Sequence, residues 1–107
     1  MSVIEEVLLE EYGRSKRVSS ALEAELASLP HGSLRERVVD GRTYYYLQYR
    51  DGKHVRSDYV KRDDAKRVRG LVARRKEVVA ALKEQERSRK QIERALGRDF
   101  IHEHSGA

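Results

Sequence analysis

Residues 32–60 read GSLRERVVDGRTYYYLQYRDGKHVRSDYV, and the other elements follow from how this stretch folds. Two Asp-Gly dipeptides, Asp40-Gly41 and Asp51-Gly52, punctuate runs rich in valine and tyrosine. Asp-Gly suits a type I′ hairpin turn, where both central residues take positive φ. Three antiparallel strands in a meander are expected. With two-residue loops, Val39 faces Arg42, Arg37 faces Tyr44 and Arg35 faces Tyr46. In the second hairpin Arg50 faces Lys53, Tyr49 faces His54, Gln48 faces Val55, Tyr46 faces Ser57 and Tyr44 faces Tyr59.

Side chains alternate between the two sides of a strand, so this register sorts them into unlike faces. One face carries Arg35, Arg37, Val39, Arg42, Tyr44, Tyr46, Gln48, Arg50, Lys53, Val55, Ser57 and Tyr59, with five bases and no acid. The other carries Leu34, Glu36, Val38, Thr43, Tyr45, Leu47, Tyr49, His54, Arg56, Asp58 and Val60. Its greater aliphatic bulk and mixed charge assign it to the core. Both faces are half apolar, so a one-residue slip in either loop would exchange them.

The flanks are helical by periodicity. From Val3 to Leu29, apolar or small residues recur at Ile4, Leu8, Tyr12, Ser15, Val18 or Ser19, Leu22, Leu26 and Leu29. Ser2 and Glu5 form a capping box at the start. Gly13 weakens the middle by about 1 kcal/mol relative to alanine, enough for a fray or kink near Arg14. Pro30 and Gly32 end the helix. From Asp63 or Asp64 to about Leu96 a second helix is expected, with acids at its start. Val68, Leu71, Arg75, Val78, Leu82, Gln85, Arg89, Ile92 and Leu96 fall on alternating three-four spacing, a coiled-coil-like seam with polar interruptions. At 1.5 Å per residue this helix is about 50 Å long, more than the sheet can cover. Its distal half therefore packs on the first helix or on a second copy of the chain. Gly97 ends it, and residues 98–107 read as a frayed tail.

The fold class is thus α+β in one domain: helix 1–30, sheet 31–60, long helix 61–97 and tail 98–107. Composition limits what such a chain does. Hydrophobic and charged residues each make up 38% of the 107 residues, which favours an elongated helical body with a small sheet. The absence of cysteine excludes disulfides and thiolate metal sites. No apolar run reaches a membrane span, and the acidic N-terminal segment does not resemble a signal peptide, so a cytoplasmic location is expected with no membrane partner.

The net charge of +5 is unevenly spread. Residues 1–30 hold three bases and six acids, residues 31–76 fourteen bases and six acids, and residues 77–107 six of each. Positive charge focused on the sheet and the following turn of helix attracts polyanions. No catalytic residue, cofactor or metal site is expected. There is no nucleophile-base order and no phosphate loop, and His102 and His104 diverge at i and i+2. The candidate nucleic-acid-binding residues are Arg35, Arg37, Arg42, Tyr44, Tyr46, Gln48, Arg50 and Lys53. Arginine and Gln48 can reach base edges, and tyrosine can reach phosphates or stack on bases. Such a nucleic-acid-binding accessory protein is expected to dimerise through its long helix, residues 68–96; the alternative is a protein-interaction module, such as an antitoxin-like partner of a neighbouring enzyme, that uses the same helix.

LPHGSLRERVVDGRTYYYLQYRDGKHVRSDYV resembles a family of short, uncharacterised bacterial and archaeal proteins built on an LPxGSL…YYYLQYRxGKxVRSxYV core followed by a long charged helix. Gly32, Ser33, Arg37, Tyr46, Arg50, Asp51, Gly52, Lys53 and Arg56 also fit the outline of the arm-type DNA-binding domain of tyrosine integrases. That likeness implies a three-stranded sheet with a helix, and DNA as the partner.

Overall fold

Helix α1 spans Val3–Ser28. The expected capping box closes it: the Ser2 N–H donates to Glu5 Oε1 at 2.9 Å, and the Glu5 N–H donates to Ser2 Oγ at 3.1 Å. Strands β1 (Ser33–Val39), β2 (Arg42–Asp51) and β3 (His54–Val60) form one antiparallel sheet in the order β1-β2-β3. A short 3₁₀ turn, Arg62–Asp64, leads into α2, Ala65–Leu96, and α3 follows at Arg98–Ser105. This α+β order, with an N-terminal helix, a three-stranded meander and a long helix, is the one the sequence implies. The computed structural model describes residues 1–105.

The chain divides into two compact units. One comprises Ser28–Glu77, and the other joins Met1–Ala27 to the chain from Val78 onward, so α2 supplies residues to both.

In the first unit the two hairpins use different turns. Asp40 has φ 51° and Gly41 φ 77°, the double positive φ of a type I′ turn. The first-hairpin pairs Val39↔Arg42, Arg37↔Tyr44 and Arg35↔Tyr46 are as expected. At the second hairpin Asp51 stays in β2, and the loop is Gly52-Lys53. Of these two only Gly52, at φ 62°, is positive, the sign pattern of a type II′ turn with glycine first. The expected partners are therefore corrected: Asp51 faces His54, Arg50 faces Val55, Tyr49 faces Arg56, Gln48 faces Ser57 and Tyr46 faces Tyr59. The register moves by two residues, and a shift of two preserves parity. Both faces keep their strand membership, while Lys53 leaves the ladder for the turn.

The core lies on the expected side. Val60, 8% exposed, is the buried strand residue, and Leu34, Tyr45, Leu47 and Tyr49 on its face are half-buried. Glu36 of that face pairs with Arg69 of α2 at 2.9 Å, and Ala65 and Val72 of α2 are buried. Gly32 joins α1 to the sheet at φ 118°. A Cβ there would collide with the Gln48 carbonyl oxygen and stand 2.9 Å from Tyr49 Cβ, so glycine is required.

In the second unit the polar interruptions of the two helical stripes meet one another. Ser15 Oγ donates to Gln85 Oε1 at 2.8 Å. Arg89 Nη1 reaches Ser15 Oγ at 3.1 Å and Ser19 Oγ at 2.6 Å, and the Tyr12 hydroxyl donates to Glu93 Oε1 at 2.9 Å. Ser15 and Val78 are fully buried, with Ser19, Ile92 and Ile101 nearly so. Of the two partners expected for the distal half of α2, it takes α1 of the same chain. These anchors hold Tyr12 and Ser15 on either side of Gly13, and α1 runs through Gly13 unbroken, correcting the expected fray. Ile4, expected on the packed stripe, is 73% exposed.

The frayed tail expected at 98–107 is corrected over its described part. Gly97, at φ 88°, ends α2, and the Ile101 N–H donates to the Gly97 carbonyl to open α3. Ile101 is 6% exposed, and Phe100 stacks on His104 with ring centroids 4.2 Å apart. The buried Ile101 anchors a segment whose polar composition suggested no anchor. Residues 106 and 107 lie outside the described residues.

Candidate nucleic-acid interface

The alternation of β1 and β2 sets Arg35, Arg37, Arg42, Tyr44, Tyr46, Gln48 and Arg50 on one face of the sheet. The four arginines are exposed, and Tyr44, Tyr46 and Gln48 on the central strand are half-buried. Lys53 is exposed at the tip of the second hairpin. The structure thus gathers seven of the eight candidates on the ladder and sets the eighth at its end.

Local bonds give these residues different freedom. Arg35 Nε donates to Gln48 Oε1 at 3.2 Å, which orients both side chains and leaves the Gln48 amide nitrogen as a donor. Tyr46 and Tyr59 meet edge to face, with centroids 5.9 Å apart and planes at 87°. Among the described residues, no carboxylate lies within ion-pair distance of Arg37, Arg42, Arg50 or Lys53.

Carboxylates on the strands all lie on the opposite face, and each is engaged there. Glu36 pairs with Arg69, and Asp51 pairs with Arg56 at 2.7 Å. Asp58 accepts a hydrogen bond from Tyr49, and this bond, reinforced by burial, raises the phenol's pKa. Acid and base are thus separated by the thickness of the sheet. The basic face keeps its charge uncompensated, the arrangement that concentrates counterions and releases them to a polyanion.

Two residues outside the candidate set, Tyr59 of this face and Arg62 beyond β3, border a groove at the end of the sheet. β2 runs past the last β2–β3 pair, Tyr45↔Val60, as the chain turns away into α2. An open groove of about 450 Å³ lies there, lined among others by Arg42, Tyr44, Tyr59 and Arg62. Arg62 was missed because the expected register put Val60 opposite Thr43. In the observed register the position opposite Thr43 falls to Arg62, just beyond the end of β3.

Among the described residues, no group of three or more His, Asp or Glu side chains is placed to hold a metal ion. His104 is instead engaged with Phe100 through its ring and through Nδ1, 2.8 Å from the Phe100 carbonyl oxygen. No helix among the described residues is long and apolar enough to cross a membrane.

No curated protein and no solved structure matches the chain. Residues 9–70, which carry most of α1, the whole sheet and the start of α2, match the model of a family described as Domain of unknown function (DUF6788), and the chain belongs to that family.

Proposed function

We propose that this protein binds nucleic acid, with the basic face of its sheet as the contact surface. The observation that carries this reading is the one-sided placement of charge: Arg35, Arg37, Arg42 and Arg50 share an open face with no acid on it. A structural role for these arginines would call for partners on the protein. None of the four has a carboxylate partner among the described residues, and Arg35 is bonded to the Gln48 amide. A two- or three-stranded ribbon can lie in the major groove of a duplex, and its aromatic residues can also stack on unpaired bases. The likeness of Gly32, Ser33, Arg37, Tyr46, Arg50 and Arg56 to the arm-type DNA-binding domain of tyrosine integrases supports DNA as the partner.

Variants of Arg37 and Arg50 test this. Both side chains are exposed, so Arg37→Ala and Arg50→Ala change folding stability by no more than about 0.5 kcal/mol. Each weakens binding to a labelled oligonucleotide, read by fluorescence anisotropy at fixed salt. Unchanged affinity in both variants contradicts the proposal. The rival reading, a partner protein along the long helix, was motivated by a distal half without a partner in the chain, and α1 supplies one. Val78 and Ile92 of that seam are buried within the chain, and Gln85 and Arg89 are bonded to α1.

A further inference from the structure

The groove at the end of β2 bears on what kind of nucleic acid is bound. Antiparallel pairing alternates, so the residues flanking a two-residue hairpin exchange both of their backbone hydrogen bonds. Asp51↔His54 is such a pair, and stepping by two along β2 aims Thr43 at the β3 side. β3 ends at Val60, so the Thr43 N–H and C=O border the groove without a strand partner.

Around that stretch of free backbone stand two arginines and three tyrosines, Tyr44, Tyr45 and Tyr59. Arg42 and Arg62 are exposed, and among the described residues neither has a carboxylate within ion-pair distance. Tyr59 is 57% exposed. Its edge-to-face contact with Tyr46 engages at most one of its two ring faces. The volume of about 450 Å³ falls in the range of about 300–1,000 Å³ usual for small-ligand sites. It is too small for a duplex and large enough for one nucleotide.

We propose that this groove holds one unpaired nucleotide, its base stacked on Tyr59 and its phosphate between Arg42 and Arg62. This rests on the basic face being a nucleic-acid surface, and it specifies the substrate as single-stranded. A base held in a duplex stack cannot turn onto Tyr59, whereas a single strand offers its π-faces freely. The groove opens beside Tyr44 and Arg42 of the basic face, so one strand can run from the arginine rows into it.

The test compares a labelled deoxythymidine oligomer of about 12 nucleotides with a duplex of the same length, at one low salt concentration. Wild-type protein prefers the single strand. Tyr59→Ala weakens single-strand binding by about 5- to 150-fold, the range for loss of one stacked base, and leaves duplex binding within about twofold. Tyr59→Phe keeps the ring and retains single-strand affinity. Arg62→Ala weakens single-strand binding at that salt concentration. Circular dichroism melting of each variant confirms that the sheet remains folded. Equal loss on both ligands, no loss with Tyr59→Ala, or an equal loss with Tyr59→Phe overturns the groove proposal while leaving the basic face intact. Failure of the wild-type protein to bind either oligonucleotide overturns the basic-face reading, and the groove proposal with it.

Discussion

Arg89 shows how much one side chain can organise when it is placed between two helices. A single nitrogen, Nη1, lies within hydrogen-bond reach of Ser15 Oγ, Ser19 Oγ and the Ser15 carbonyl oxygen. Both serines are buried, so removing the guanidinium leaves hydroxyl groups without a donor in a place water hardly reaches. Arg89→Ala should therefore lower unfolding free energy by about 1–3 kcal/mol in urea titrations, the cost of leaving a buried polar group unpaired. A loss below about 0.5 kcal/mol would mean that the network contributes little. Tyr12, one turn before Ser15, adds a pH dependence. Burial first, and its hydrogen bond to Glu93 second, raise its phenol pKa above the ordinary value of 10.0. A raised folded-state pKa gives stability that is present below the unfolded value and lost as pH rises through the folded one. The stability gap between the wild type and Tyr12→Phe should therefore be widest near about pH 8 and narrow by about pH 11. A gap that stays constant over that range contradicts this role. Ser15, Ser19, Gln85 and Arg89 were each visible as breaks in an apolar stripe. Periodicity shows where a polar residue interrupts a seam, but not which residue on the other helix answers it.

At the scale of elements, two glycines have opposite roles. Gly32 lies at positive φ with the β2 backbone pressed against it, and Gly70 sits exposed inside α2 with nothing within 4 Å of where a Cβ would stand. Gly32→Ala should cost more than about 1 kcal/mol through strain and collision. Gly70→Ala should stabilise by up to about 1 kcal/mol, because alanine is the better helix former. Thermal melts of the two variants check this, and shifts of the same sign would contradict it. The strands were legible because valine, tyrosine and arginine alternate between two Asp-Gly signals. The first turn obeys its dipeptide and the second does not. The same Asp-Gly sequence supports a I′ turn with aspartate inside the loop, or a II′ turn with aspartate at the end of the strand. In the observed form Asp51 pairs with Arg56 on the same face, an interaction between strands that local turn chemistry does not contain. Because the two choices differ by two residues, Val55, Ser57 and Tyr59 stayed on the face of Arg35, Arg37, Arg42 and Arg50, which the first hairpin alone fixes. The groove beside Arg62, which depends on the register itself, did not emerge. At the far end, Phe100 and Ile101 were the available signal for α3, set among polar neighbours that masked it.

Across the whole chain, charge is partitioned twice. Along the sequence the fourteen bases and six acids of residues 31–76 set that stretch apart from its neighbours. Within the sheet, pairing then moves the strand carboxylates to the face that meets α2 and leaves the arginines on the other. The first partition is read by counting. The second needs strand parity, which the first hairpin fixes for β1 and β2. A purely solvated basic face would also be charged, but it would have no reason to exclude every acid while its opposite face pairs each one. The measurement that tests this most directly is the affinity of the wild-type protein for a labelled oligonucleotide across a salt series. Neutralisation of phosphates by Arg35, Arg37, Arg42, Arg50 and Lys53 predicts that log K falls linearly with log salt, with a slope between about −3 and −5. A slope near zero, or no binding at the lowest salt, would contradict it.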